Sequence, residues 1–156
     1  MGTQQILMIV LSVIVVGAAI AVGIAMFDTQ ATNQARNAVS SALAQQAVEA
    51  QGWFRTPVMM GGGGGAFVVG NIPQIATHIN QNAQGSSFTV PSGTYTLSAT
   101  NPGMGTIPTG AGWGSTIFIT GTTPRPRGDI IVDAAVGLDG NDENIIVRVR
   151  PVATGG

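Results

Sequence analysis

The chain has 156 residues, a formal net charge of -1, six Arg but no Lys, seven Asp or Glu, and no Cys. So little positive charge excludes the basic footprint of a nucleic-acid binder, and the lack of cysteine excludes disulfides, thiolate zinc sites and thiol nucleophiles. The 23 Gly and a charged fraction of only 8% point to a polar but uncharged exterior of Thr, Ser, Asn and Gln, around one compact head of roughly 100 residues.

The first element is ILMIVLSVIVVGAAIAVGIAMF, residues 6–27, which holds no charge and one polar side chain, Ser12. As a helix it measures about 33 Å, enough to cross a hydrocarbon core of about 30 Å. It is a poor secretory signal, because such signals have a basic start and a shorter apolar region, and here no basic residue precedes Arg36. Small residues at Gly17, Ala21, Gly23 and Ala25 would let another backbone come close, as in membrane helix pairs.

Beyond Phe27, DTQATNQARNAVSSALAQQAVEAQ contains neither Gly nor Pro and is rich in good helix formers, so the helix is predicted to continue. Ala31, Ala35, Ala38, Val39, Ala42, Leu43, Ala47 and Ala50 recur at three- and four-residue spacing, which places a small-residue stripe on one face. Gly52 reads as the stop. The expectation is one helix over about residues 4–51, on the order of 70 Å long, with Trp53 and Phe54 anchoring its end in the head. The chain thus divides into an apolar helix half, residues 1–27, and a head with the amphipathic half, residues 28–156.

The glycine run 61–65 reads as a flexible loop, followed by a short helix over about 72–82 that starts at Pro73 and turns Ile72, Ile75, Ala76 and Ile79 inward. From Ser86 the vocabulary becomes that of strands: SSFTV, TYTLSAT, STIFITG, DIIVDAAV and NIIVRVR are rich in β-branched and aromatic residues and separated by Gly, Pro and Asn. An antiparallel sheet of four or five strands over about 86–150 follows, with PSG as a hairpin turn and GLDGNDE as a longer hairpin loop. In the last hairpin, pairing Val136 with Ile145 sets Asp133 opposite Arg148 on the polar side, while Val132, Ala134, Val147 and Val149 face the core. The fold class is therefore α+β, with a long N-terminal helix packed in its second half on an antiparallel sheet.

No catalytic constellation emerges. Asp139, Asn141 and Glu143 alternate in a loose echo of a calcium loop, but the EF-hand glycine and distal glutamate are missing and a polar hairpin tip is the default. Arg127, Gly128 and Asp129 form an integrin-type tripeptide that three residues reproduce by chance. The five glycines lack the Gly-Lys-Ser/Thr of a phosphate loop, and His78, the only histidine, falls on an exposed helix position. No cofactor is expected.

An exposed apolar helix of this length needs covering, far beyond the few hundred Å² that a soluble monomer leaves open. Lipid covers residues 6–27 but has no use for the stripe over 31–50, which suits packing on the head's own sheet.

The whole layout resembles the type IV pilins and the pseudopilins of secretion systems, and ILMIVLSVIVVGAAIAVGIAMF, with LMIV at Leu7–Val10, is similar to their N-terminal segment. The likeness in sequence is confined to roughly the first 30 residues. It implies a structural subunit that waits in the inner membrane and loses a short basic leader. The assembly machinery then stacks it with identical copies into an extracellular helical filament. The residues implied in assembly are Met1, Gln5, Ile6, Leu7, Ile9, Val10, Val13, Ile14, Gly17, Ala21, Gly23 and Ile24, with Met1 expected as the processed N-terminus. The family usually has Glu where Gln5 stands, commonly a Pro in the apolar half, and often a C-terminal disulfide loop; this sequence has none of the three. An amide at Gln5 can still hydrogen bond to an ammonium. Two alternatives are a single-pass anchored binding module and a pseudopilin.

Overall fold

A computed structural model describes residues 2–108, 113, 115–123, 130–138 and 144–150. Met1, the Arg127–Gly128–Asp129 tripeptide and the Asp139, Asn141 and Glu143 candidates lie outside the described residues. The chain forms two compact units, Met1–Gln34 and Ala35–Gly156. One helix, α1 (Gly2–Arg55), runs through both. The second unit adds α2 (Ile72–Ile79), two short 3-10 turns at Val58–Met60 and Val69–Asn71, and strands β1 (Ser87–Val90), β2 (Gly93–Ser98), β3 (Thr116–Thr123), β4 (Ile130–Gly137) and β5 (Ile145–Val149). The fold class is α+β, as read from the pattern of elements.

The strands form a five-stranded antiparallel meander in the order β1-β2-β3-β4-β5. Hairpin connections allow this simple order, since each strand pairs with its neighbour in sequence. Val90 pairs with Gly93 across a two-residue turn of Pro91 and Ser92, as the PSG signal predicts. In the last hairpin Val136 pairs with Ile145 and Asp133 with Arg148, the register expected from the alternation.

The core lies between the inner face of the sheet and the second half of α1. Val39, Leu43, Ala47, Ala50 and Trp53 are buried against Phe88, Tyr95, Leu97, Ile117, Ile119, Val132, Ala134 and Val136, with Ile72, Ile75 and Ala76 of α2 closing one end. Of the predicted stripe, Ala35 and Ala42 are half-buried while Ala31 and Ala38 stay exposed; Gln46 and Gln51 are buried instead. Gln51 resolves its burial by donating Nε2–H to the carbonyl of Gly137 at 3.2 Å, a bond that ties the helix to the end of β4.

Three boundaries depart from the sequence reading. Gly52 does not end α1; the helix runs to Arg55 because Trp53 is buried in the core and Phe54 packs against it. The glycine run is not a loose loop but the helix cap. Gly63, Gly64 and Gly65 donate N–H to the carbonyls of Trp53, Thr56 and Phe54 at 2.9, 2.8 and 2.8 Å, which satisfies acceptors that a helix C-terminus leaves open. Positive φ at Gly61 (83°) and Gly64 (60°) allows the chain to double back, and the Trp53 indole N–H donates to the Gly61 carbonyl at 3.1 Å. α2 ends at Ile79 rather than 82, because Asn80 turns extended and its side-chain oxygen accepts from the Asn82 N–H.

The outer face of the sheet is not simply polar. Met104, Phe118 and Ala135 form a second buried cluster there, with Ile107, Trp113 and Ile146 packed on it. The stretch between β2 and β3 thus covers β4, which is buried on both faces at almost every position.

One contact sets how closely helix and sheet approach. A Cβ at Gly121 in β3 would stand 2.7 Å from the Tyr95 ring and 2.8 Å from Val39 of α1, so only a hydrogen side chain fits. We expect Gly121→Ala to destabilise the second unit by about 1–3 kcal/mol through overpacking, read as a lower midpoint in chemical denaturation. The Tyr95 hydroxyl meets Ser92 Oγ at 2.7 Å. Burial pushes this phenol above its ordinary value of 10.0, opposed by the Ser92 hydrogen bond. A raised phenol pKa favours the protonated folded state, so its contribution to stability is fully present below about pH 10 and is lost as pH rises through the folded value. Tyr95 is the only tyrosine; its ultraviolet titration should have a midpoint above that of free tyrosine, and a midpoint at or below 10 would contradict its burial.

Candidate assembly surface

The first unit consists of helix alone, and its large apolar side chains have nothing to pack on within it. Ile6, Leu7, Ile9, Val10, Val13, Ile14 and Ile24 are all more than half exposed. Gln5, Gly17 and Ala21 are exposed as well, and Gly23 is half-buried. The apolar segment is long enough to cross a membrane, and none of it is buried. A Cβ at Gly17 or Gly23 would meet nothing within 4 Å, so both positions are open to whatever approaches.

The segment is also chemically closed. Its one polar side chain, Ser12, donates its hydroxyl to the Ile9 carbonyl at 2.8 Å, and at the polar boundary Thr29 donates to the Ala25 carbonyl at 2.9 Å. Such back-bonding hides side-chain donors inside the helix. A helix apolar all round, with its donors satisfied, suits a lipid interior or a bundle of similar helices.

The second unit gathers polar chemistry around Asp133. This carboxylate is 1% exposed, yet its partner is not the Arg148 across from it. Arg150 donates Nε–H to Oδ2 at 2.9 Å and Nη2–H to Oδ1 at 2.8 Å, and Thr120 Oγ1 donates to Oδ1 at 2.7 Å. Arg148 instead donates Nη1–H to the Met104 carbonyl at 2.8 Å, pinning the β2–β3 connection to β5. The expected polar side is therefore a covered face that holds a buried carboxylate, and Val147 and Val149, placed on the core side, remain 36% and 43% exposed because β5 is the edge strand.

Among the described residues no group of three or more His, Asp or Glu side chains is close enough to hold a metal. His78 sits exposed in an open groove with Gly61, Pro73, Gln74, Thr77 and Gln81; none of these is a carboxylate that could orient an imidazole base. The Asp133 pair and the glycine cap escaped the sequence reading, although Gly-rich chain directly after a Trp-ended helix was a usable signal for the cap. Compared with family models, with curated proteins and with solved structures, the chain matches none.

The bidentate pair has a direct test. A double-mutant cycle of Asp133→Asn with Arg150→Gln should give a coupling of about 1–3 kcal/mol, whereas the cycle with Arg148→Gln should stay within about 0.5 kcal/mol. Equal couplings would mean that register opposition, not the Arg150 fork, holds the carboxylate.

Proposed function

We propose that this protein is a structural subunit of a type IV pilus-like filament, held together by the apolar half of α1 packed among the same segments of other copies. The observation that carries the reading is the continuity of α1. The same helix is apolar all round over residues 6–27 with its large side chains exposed, then buries one stripe, from Val39 to Trp53, on a sheet. A signal sequence has no need of such a continuation, and an isolated anchor has no need of open glycines at Gly17 and Gly23. Before assembly the segment would lie in the inner membrane; afterwards it would form the filament interior, with the second unit outside.

Electron microscopy of material sheared from cells tests the reading. Thin filaments that contain this chain are expected, and recovery only in detergent extracts would favour a membrane-anchored binding module. At residue level, Gly17→Leu separates the two. Leucine is the better helix former and favours membrane insertion, and a Cβ at this position meets nothing within 4 Å. The substitution should therefore leave membrane insertion and the melting of the second unit unchanged while reducing filament yield severalfold, because a neighbouring backbone can no longer come close. Full filament yield in Gly17→Leu would argue against close helix packing at this position.

A further inference from the structure

Among the described residues, the five most exposed large apolar side chains of the second unit are Val58, Met59, Met60, Val68 and Val69; Met59 is 99% and Met60 79% exposed. Val58, Met59 and Met60 make up the 3-10 turn before the glycine cap, Val69 opens the turn after it, and Val68 is the N-cap of that second turn. The first turn is firmly held: Met60 N–H donates to the Pro57 carbonyl at 2.9 Å, Gly61 N–H to the Val58 carbonyl at 3.0 Å, and the cap behind it is bonded to the end of α1. An ordered backbone therefore presents methionines to water. Methionine is flexible and polarisable, suited to gripping apolar helices.

We infer that the Val58–Met60 turn is a docking knob for the apolar helix segment, residues 6–27, of another copy of the chain. Charge points to that occupant. No Asp, Glu, Lys or Arg occurs between Arg55 and Arg125, and none occurs before Asp28, so neither the turn nor the segment itself carries an ion into the contact, whereas a charged partner would lose hydration without gaining a counterion. Area points the same way. The turn's three side chains offer on the order of 300 Å² of apolar surface, short of the ~800 Å² per partner of a stable free-standing interface. The knob therefore does not hold two copies alone; it acts beside a larger contact, which the helix packing of the filament supplies. The two surfaces differ from one another, so the contact is heterologous and propagates from copy to copy instead of closing a dimer.

The inference rests on the filament reading, and one experiment separates their failures. Full-length chain carrying a photoactivatable diazirine side chain at Met59 is mixed with isotope-labelled chain, assembled, irradiated and mapped by mass spectrometry. Crosslinks from Met59 into residues 6–27 of a labelled copy are the expected result. Filaments whose crosslinks fall on another copy's second unit, on lipid or nowhere overturn the knob and leave the filament standing. If no filament forms, both fall. In parallel, the double variant Met59→Gln with Met60→Gln should raise the critical concentration for assembly about tenfold or more without moving the melting of the second unit, since neither side chain is buried; an unchanged critical concentration would overturn the inference.

Discussion

The second unit is organised by the packing of one helix stripe on one sheet face. Val39, Leu43, Ala47, Ala50 and Trp53 supply the helix side, and each large apolar side chain so buried contributes about 1.5–3 kcal/mol relative to exposure. Alanine at two of these positions, and glycine at position 121 of the sheet, bring the two layers close enough for Val39 and the Tyr95 ring to meet over β3. Which face of the sheet is inner follows from this contact. With that face taken, the β2–β3 connection is left to cover the other, and it does so with Met104, Ile107 and Trp113.

The same helix meets two different physical problems along its length. In the head it needs only a stripe, so its remaining positions are mostly polar or small, with Val48 the exposed exception. Over residues 6–27 it has no stripe and no polar face, and Ser12 turns its hydroxyl back on its own backbone. A helix built this way is stable wherever water is absent. Lipid and a bundle of like helices both meet that condition, which is what the proposed passage from membrane to filament asks of a single segment.

The junction between α1 and the rest of the head carries more structure than its composition suggests. Five glycines in succession would ordinarily mean freedom, yet here the backbone N–H groups of three of them close the end of the helix. Glycine is needed at Gly63, where a Cβ would stand 2.7 Å from the Trp53 ring. The cap fixes the neighbouring Val58–Met60 turn, and with it the direction in which the exposed methionines point. Local hydrogen bonding thus links a buried tryptophan to an outward-facing apolar surface.

Much of this architecture is legible in the sequence. The long helix, the strand segments, the first and last hairpins and even the Asp133–Arg148 register follow from periodicity of 3.6 and 2 and from turn residues, because these signals are local and repeat along one element. The continuous apolar run over residues 6–27 likewise announces a segment that must leave water. What only the tertiary structure decided are the contacts between elements distant in sequence. These are the carboxylate of Asp133 taken by Arg150 rather than by its register partner, the outer sheet face covered by the β2–β3 connection, the burial of Gln51 against Gly137, and the glycine run folded onto the end of α1. Each depends on where a side chain or a bare N–H can reach once the layers have packed, and side-chain reach in three dimensions leaves no period in the chain.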